Sequence, residues 1–194
     1  MGQIHQEAFE EEEVLGFVAE AHRFCDLFER LSSLGRLYLL QQLNESLPLL
    51  YSMAHRLPDP YNWDEIERDE AWEAEDRRGM PLDEHTAKWS EWSERLRGKL
   101  TNHKLFRLVY DPVDPRDREI IECDLAGILT EVYLDMKDGL ILFGRGSDED
   151  RAQALWDWRF GLRNNWGRHI AESLTPIHSL IYQHYDEDEG VFDV

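Results

Sequence analysis

Residues 121–144 read IECDLAGILTEVYLDMKDGLILFG, and their apolar side chains recur at steps of three and four. That spacing places the apolar side chains on one face of an α-helix, which can then pack against a core. The stripe consists of Ile121, Leu125, Ile128 or Leu129, Val132, Met136, Leu140 and Phe143. Upstream, Asp114 can serve as an N-cap and Pro115 suits the first helical position, while Gly144 can end a helix. The sequence therefore predicts a long amphipathic helix over residues 115–143.

The same periodicity predicts further helices on both sides of this segment. They cover residues 11–31, 37–54, 83–98, 148–175 and 176–184. Ser147 and Asp150 form a capping box that predicts a helix start at residue 148. Pro48 and Pro176 are expected to kink or interrupt their helices, because proline lacks an amide donor and crowds the preceding turn.

Three segments lack the helical period. Residues 105–110 form a short apolar run, which favours an extended segment. Residues 59–79 carry nine carboxylates and are expected to form an acidic, loop-like insertion, and residues 186–194 form an acidic tail. The sequence therefore predicts an all-α fold, a single-domain bundle of five to seven helices over residues 1–194, with one short extended segment near 105–110.

The charge of the chain narrows the classes of partner. Its 194 residues include 41 acidic and 21 basic side chains, a formal net charge of −20. Phosphate backbones and anionic lipids repel such a molecule at long range, so nucleic acid and membranes are not expected as partners. The acidic surface is explained by solubility, or alternatively by docking of a basic protein.

The ends and the cysteines of the chain indicate its compartment. The first 13 residues are acidic where a secretory signal requires basic residues, and no apolar run reaches the ~18 residues of a membrane span. We therefore expect a cytoplasmic protein. Cys25 and Cys123 lie in apolar helical patterns and are expected to be buried, reduced thiols.

The carboxylates of the helix over 115–143 are the main candidates for metal chemistry. Asp124, Glu131, Asp135 and Asp138 follow one another at steps of seven, four and three, so they share one helix face. Aligned carboxylates can hold Mg²⁺ for phosphate chemistry. All-helical nucleotide pyrophosphohydrolases combine Glu-x-x-Glu with Glu-x-x-Asp; residues 10 and 13 fit the first pattern, and Asp135 with Asp138 only approximates the second. The alternative is a solvated helix face whose acids pair with nearby basic side chains.

Other chemistries lack a complete residue set. The chain contains no Glu-x-x-His step and no H-E-x-x-H motif, and His169 with Glu172 is a single His-x-x-Glu pair. It also contains no G-x-S-x-G elbow and no glycine-rich phosphate loop. We therefore predict neither a metal nor a cofactor.

Short motifs stand in a characteristic order along most of the chain. They are Phe17-Val18, Phe24-Cys25, Leu27-Phe28-Glu29, Leu47-Pro48-Leu49-Leu50-Tyr51, Leu57-Pro58, Asp124-Leu125-Ala126, Tyr133-Leu134-Asp135-Met136-Lys137-Asp138, Phe160, Trp166-Gly167 with His169, and His178. In these motifs, from Phe17 to Tyr182, the chain resembles the bacterial domain-of-unknown-function family numbered five-zero-six-three. The resemblance implies a helical fold and brings no assigned activity.

The resemblance also singles out polar residues, because a polar group inside an apolar motif requires a partner or a function. These candidate binding residues are Tyr51, Asp124, Tyr133, Asp135, Lys137, Asp138, Trp166, His169 and His178. The alternative is a structural hydrogen-bond network among the helices. We expect His169 and Asp135 to share one polar cluster, with the carboxylate as acceptor for the imidazole.

The lack of a complete catalytic set, the acidic charge and the seven tryptophans predict a non-enzymatic binding or accessory protein. It would act through contacts with a protein partner, and its charge would suit a basic one. The alternative is a metal-dependent phosphate-handling enzyme that uses the carboxylates of the helix over 115–143. The oligomeric state is left open.

Overall fold

The computed structural model describes residues 11–60, 78–101 and 105–182, and these residues are predominantly helical. Their elements are α1 Glu12–Glu29, α2 Arg36–Ala54, α3 Leu82–Leu100, β1 Leu105–Val109, β2 Ile120–Asp124, α4 Leu125–Arg145, α5 Asp148–Asn164 and α6 Trp166–Tyr182. The predicted helical bundle with a short extended segment is confirmed. Most of the acidic insertion predicted over 59–79, and the whole acidic tail predicted over 186–194, lie outside the described residues.

Helix α4 lies at the centre of the bundle and packs against α1, α3, α5 and α6. The apolar stripe predicted from the sequence forms its buried face. Its fully or almost fully buried members are Leu125, Leu129, Val132, Met136 and Leu140. Aliphatic side chains at this spacing stabilise the bundle by roughly 1.5–3 kcal/mol each when removed from water.

Aromatic rings join the helices around α4 into one core. Tyr133 of α4 stacks on Phe28 of α1, with ring centroids 4.6 Å apart, and meets the edge of Trp92 of α3 at 5.3 Å. On α5, Trp158 packs edge-on against Phe17 of α1 at 4.9 Å. Because these rings come from four helices, the core depends on all four at once.

A β-hairpin interrupts the helical bundle before α4. Strands β1 and β2 pair antiparallel, with Val109 opposite Ile120. The extended segment is therefore β1, but the predicted helix start at residue 115 is wrong by ten residues. Asp114 accepts hydrogen bonds within a turn, because the Asp-Pro pair that favours a helix start favours a turn equally. Cys123 accordingly lies on a strand instead of a helix.

Neither proline interrupts its helix, so of the two predicted alternatives, a kink or an interruption, the interruption is wrong. Pro48 lies inside α2 and Pro176 inside α6, and both helices continue past them. Proline removes one amide donor, and the burial of Leu47 and Leu50 beside Pro48 offsets that loss. The chain instead breaks at Asn165, between α5 and α6, where φ is −144° and ψ is −94°.

Two further expectations concern the helix start at residue 148 and the cysteines. Ser147 caps α5 by accepting a hydrogen bond from the amide of Asp150 at 3.1 Å, as predicted. Cys25 is buried and Cys123 partly buried, and both are free thiols. Burial raises the pKa of the Cys25 thiol far above its ordinary value. None of the helices in the described ranges combines the length and apolar character needed to cross a membrane.

Candidate functional site

An ion pair with α3 holds the N-terminus of α4. Asp124 is the N-cap of α4 and accepts a hydrogen bond from the amide of Ala126 at 3.1 Å. Its other carboxylate oxygen accepts from two guanidinium nitrogens of Arg97 on α3, at 2.9 and 2.5 Å. Asp124 therefore fixes the point where β2 turns into α4 against α3.

Asp124→Ala should lower the free energy of unfolding by about 2 kcal/mol, because it removes an N-cap and leaves Arg97 without its carboxylate. Denaturant unfolding measures the change. Asp124→Asn is the matched control, since its amide oxygen still caps the helix and only the charge is lost; it should cost about half as much. A loss below about 0.5 kcal/mol for Asp124→Ala would contradict this role.

The next motif residues anchor other segments to α4. The carboxylate of Asp138 accepts hydrogen bonds from the backbone amides of Gly79, at 3.2 Å, and Met80, at 2.6 Å, just before α3. Lys137 donates to the carboxylate of Glu29 at the end of α1, at 2.5 Å. These contacts tie the end of α1 and the approach to α3 to the central helix.

A polar seam joins α4 to the start of α6, and we define it by Glu131, Asp135, Asn165 and His169. The side-chain amide of Asn165 donates to Asp135 at 3.0 Å. Nδ1 of His169 lies 3.3 Å from a carboxylate oxygen of Glu131, within ion-pair distance but without hydrogen-bond alignment. His169 and Asp135 thus belong to the same seam, but the imidazole contacts Glu131, one helical turn before Asp135.

Asp135 is the most perturbed acid of the polar seam. Burial raises the pKa of its carboxyl to about 7; the hydrogen bond from Asn165 lowers the value, and the charges of Glu131, Asp138 and Asp157 raise it further. Perturbed acids occur at functional sites and also in structural ion-pair networks. The seam can therefore take up a proton near neutral pH.

The other candidate residues are dispersed over the bundle. Tyr133 and Trp166 are buried core residues. Tyr51 on α2 and His178 on α6 are exposed; the first packs against the ring of His55, directly after α2, and the second against Tyr182 of its own helix. Among the nine candidates, the structure brings Asp135 and His169 to one seam and places these four elsewhere.

Two of the four carboxylates in the row on α4 are already bound to donors of the protein itself. Asp124 is bound to Arg97 and Asp138 to two backbone amides, so a cation would have to displace these donors. Within the described residues, no three metal-ligating side chains converge. Glu10 of the predicted Glu-x-x-Glu pair lies outside these residues, and its companion Glu13 is exposed on α1.

The hairpin carries an exposed apolar surface that the sequence did not predict. We call it the apolar hairpin surface. Its members, each with the exposed fraction of the residue, are Leu105 (51%), Val109 (40%), Tyr110 (58%), Val113 (86%) and Ile120 (66%). Large apolar side chains that stay exposed at the surface can mark sites of interaction. The apolar run 105–110 indicates one strand of this hairpin in the sequence. The other strand, β2, lies within the segment for which the sequence predicts a helix.

Hydrogen bonds within the hairpin loop hold this surface in place. Asp111 accepts from the amides of Val113, at 2.9 Å, and Asp114, at 3.3 Å, and Asp117 accepts from the amide of Asp111 at 2.8 Å. Aspartates that accept from amides a few residues away fix the backbone of a turn. The apolar side chain of Val113 is therefore presented on an ordered loop.

A family model and a solved structure are similar to the chain. The family model described as "Domain of unknown function (DUF5063)" matches residues 9–183. The crystal structure of protein BF1032 from Bacteroides fragilis is similar, with a TM-score of 0.70 and 19% identity, over 91% of this chain and 96% of that chain. At this identity the likeness shows the fold alone. No curated protein matches the chain significantly.

Proposed function

This chain belongs to the DUF5063 family of domains of unknown function, and we propose that it is a non-enzymatic binding protein that docks a basic protein partner on its apolar hairpin surface. The observation that carries the proposal is the exposure of five large apolar side chains on one hairpin. Covering a Val or Ile side chain that is now in water gains roughly 1.5–3 kcal/mol. A few such residues suffice to anchor an interface.

The backbone of the hairpin also supports docking. Among the described residues, β1 and β2 pair only with each other, so each strand keeps one open edge. Open edges carry unpaired amides and carbonyls that an extended segment of another protein can use. The apolar hairpin surface and the open edges together suit a partner that adds an extended segment.

Electrostatics favour a basic partner over a second copy of this chain. Two chains with a net charge of −20 each repel one another at long range. On the hairpin itself, residues 105–123 carry five acidic and three basic side chains, and two of the basic ones, Arg107 and Arg116, are already paired with acidic neighbours. A protein with lysines or arginines around an apolar contact would therefore be attracted.

A photo-crosslinking amino acid in place of Val113 tests the proposal in cells that make the protein. The crosslinked protein is identified by mass spectrometry, purified, and titrated by calorimetry against the unmodified full chain. We expect a basic partner whose Kd rises at least about tenfold when Val109→Thr and Ile120→Thr are combined, because threonine keeps the branched shape and removes apolar area.

Leu49→Gln is the control variant, because Leu49 is also exposed and apolar but lies on α2. It should leave the affinity unchanged. The proposal fails if position 113 yields no partner that binds in calorimetry. It also fails if the combined hairpin variant binds that partner as tightly as the unchanged chain does.

A further inference from the structure

A groove of about 600 Å³ lies between the hairpin and α6. Leu108 and Pro112 line it from the hairpin, and Ala171 lines it from the helix. Pro112 and Ala171 are exposed, so the groove opens to solvent. Its volume lies within the range of about 300–1,000 Å³ typical of ligand pockets and exceeds the size of one side chain.

An arginine joins the two walls of the groove. Arg168 on α6 donates to the carboxylate of Glu172 at 2.5 Å and to the backbone carbonyl of Tyr110 at 3.3 Å. The side chain of Glu172 is 18% exposed and that of Arg168 is 58% exposed, so the ion pair reaches from the groove wall to the solvent. The groove is thus a built feature whose two walls are linked by the hydrogen bond from Arg168 to Tyr110.

The charge of the groove is negative. The guanidinium of Arg168 and the carboxylate of Glu172 balance each other, and the lining residue Asp111 adds a negative charge. The side chain of Asp111 accepts hydrogen bonds from two amides of its own loop, which hold it at the rim. A cation brought beside Asp111 would therefore meet a carboxylate with a fixed position.

We infer that this groove receives a short segment of the partner protein in which an apolar side chain stands next to a lysine or arginine. The apolar side chain packs among Leu108, Pro112 and Ala171, and the cation meets Asp111. The inference rests on the proposed function and adds the chemical class of the bound segment. The residues that line the groove differ from those of the apolar hairpin surface; the two sets share only Tyr110.

The test uses the full chain, labelled with ¹⁵N, and three synthetic peptides with blocked ends. Their sequences are Gly-Lys-Leu-Lys-Gly, Gly-Glu-Leu-Glu-Gly and Gly-Lys-Gly-Lys-Gly. We expect the first peptide to shift amide resonances over residues 108–112 and 168–175, with a Kd on the order of 1 mM. The acidic peptide should not bind, and the peptide without leucine should bind at least about fivefold more weakly.

Two variants separate the groove from other surfaces. Asp111→Asn keeps the oxygen that accepts from the loop amides and removes the charge, so it should weaken binding of the first peptide about fivefold. Ala171→Phe fills the groove at an exposed helix position and should abolish binding. Ala87→Phe, at an exposed position of α3, is the matched control and should change nothing.

Shifts confined to the apolar hairpin surface and unaffected by Ala171→Phe would overturn the inference. The absence of any shift with the first peptide, or equal binding of the acidic peptide, would overturn it as well. The proposed function is judged separately, by the effect of Val109→Thr with Ile120→Thr on the identified partner. A failure of the groove is therefore distinguishable from a failure of the hairpin surface.

Discussion

Gly139→Ala should destabilise the protein by about 3 kcal/mol, because Gly139 is the point where α4 meets the indole of Trp158 on α5. A Cβ at residue 139 would lie 2.8 Å from Cζ2 of Trp158 and still closer to Nε1 and Cε2. Trp158 is 1% exposed and packs against Phe17, so the ring cannot move aside without disturbing the core. Thermal unfolding should show a Tm lower by on the order of 8 °C.

Gly144→Ala is the matched control, since Gly144 lies on the same helix and a Cβ there would have nothing within 4 Å. Alanine is a better helix former than glycine, so this variant should gain about 0.5–1 kcal/mol. The two substitutions are chemically identical and should act in opposite directions. Equal effects at both positions would show that the contact between Gly139 and Trp158 does not limit the packing of α4 on α5.

Asp135→Asn should make the protein more stable at pH 8 than the unchanged chain, by on the order of 3 kcal/mol. The reason is that burial raises the pKa of Asp135 to about 7 from its ordinary value of 3.8. A carboxyl whose pKa is raised on folding destabilises the folded state when it is ionised. This penalty is absent below the unfolded pKa, grows as pH rises, and is complete above the folded pKa. Asparagine carries no such penalty and still offers Asn165 a side-chain oxygen.

The measurement is the difference in unfolding free energy between Asp135→Asn and the unchanged chain, taken by denaturant unfolding from pH 5 to pH 8. This difference should grow by up to about 1.4 kcal/mol per pH unit and level off above pH 7. Asp26→Asn, at an exposed position of α1, is the control and should show no such slope. A difference that stays constant with pH would mean that Asp135 remains ionised throughout this range.

Local sequence patterns identified most helices and the side of each that is buried. The stripe with Leu125, Val132 and Met136 forms the core face of α4, and Ser147 caps α5. These features depend on neighbours within about one helical turn, and such neighbours are visible in the sequence. The charge of −20, which underlies the expected class of partner, is also a property of the sequence alone.

Local patterns failed where a distant segment decided the conformation. Ile121 begins the apolar stripe predicted for the central helix, yet it lies on a strand and pairs with Leu108. The two strands are separated by a ten-residue loop, so their pairing depends on side chains too distant in sequence to affect the helical period. In addition, an Asp-Pro pair favours a turn as well as a helix start. The apolar hairpin surface was missed for this reason.

The sequence by itself determined the helical class, the buried face of α4 and the acidic charge. The first two follow from the spacing of nearby residues, and the net charge is a sum over all residues. Only the tertiary structure decided where this part of the chain breaks. The break is at Asn165, and Pro176 lies inside the helix that follows. The tertiary structure also decided that His169 contacts Glu131 and that an apolar hairpin stands exposed beside a groove. These features depend on which elements pack together. That packing is selected by the burial of apolar surface, whose free energy is summed over the whole core.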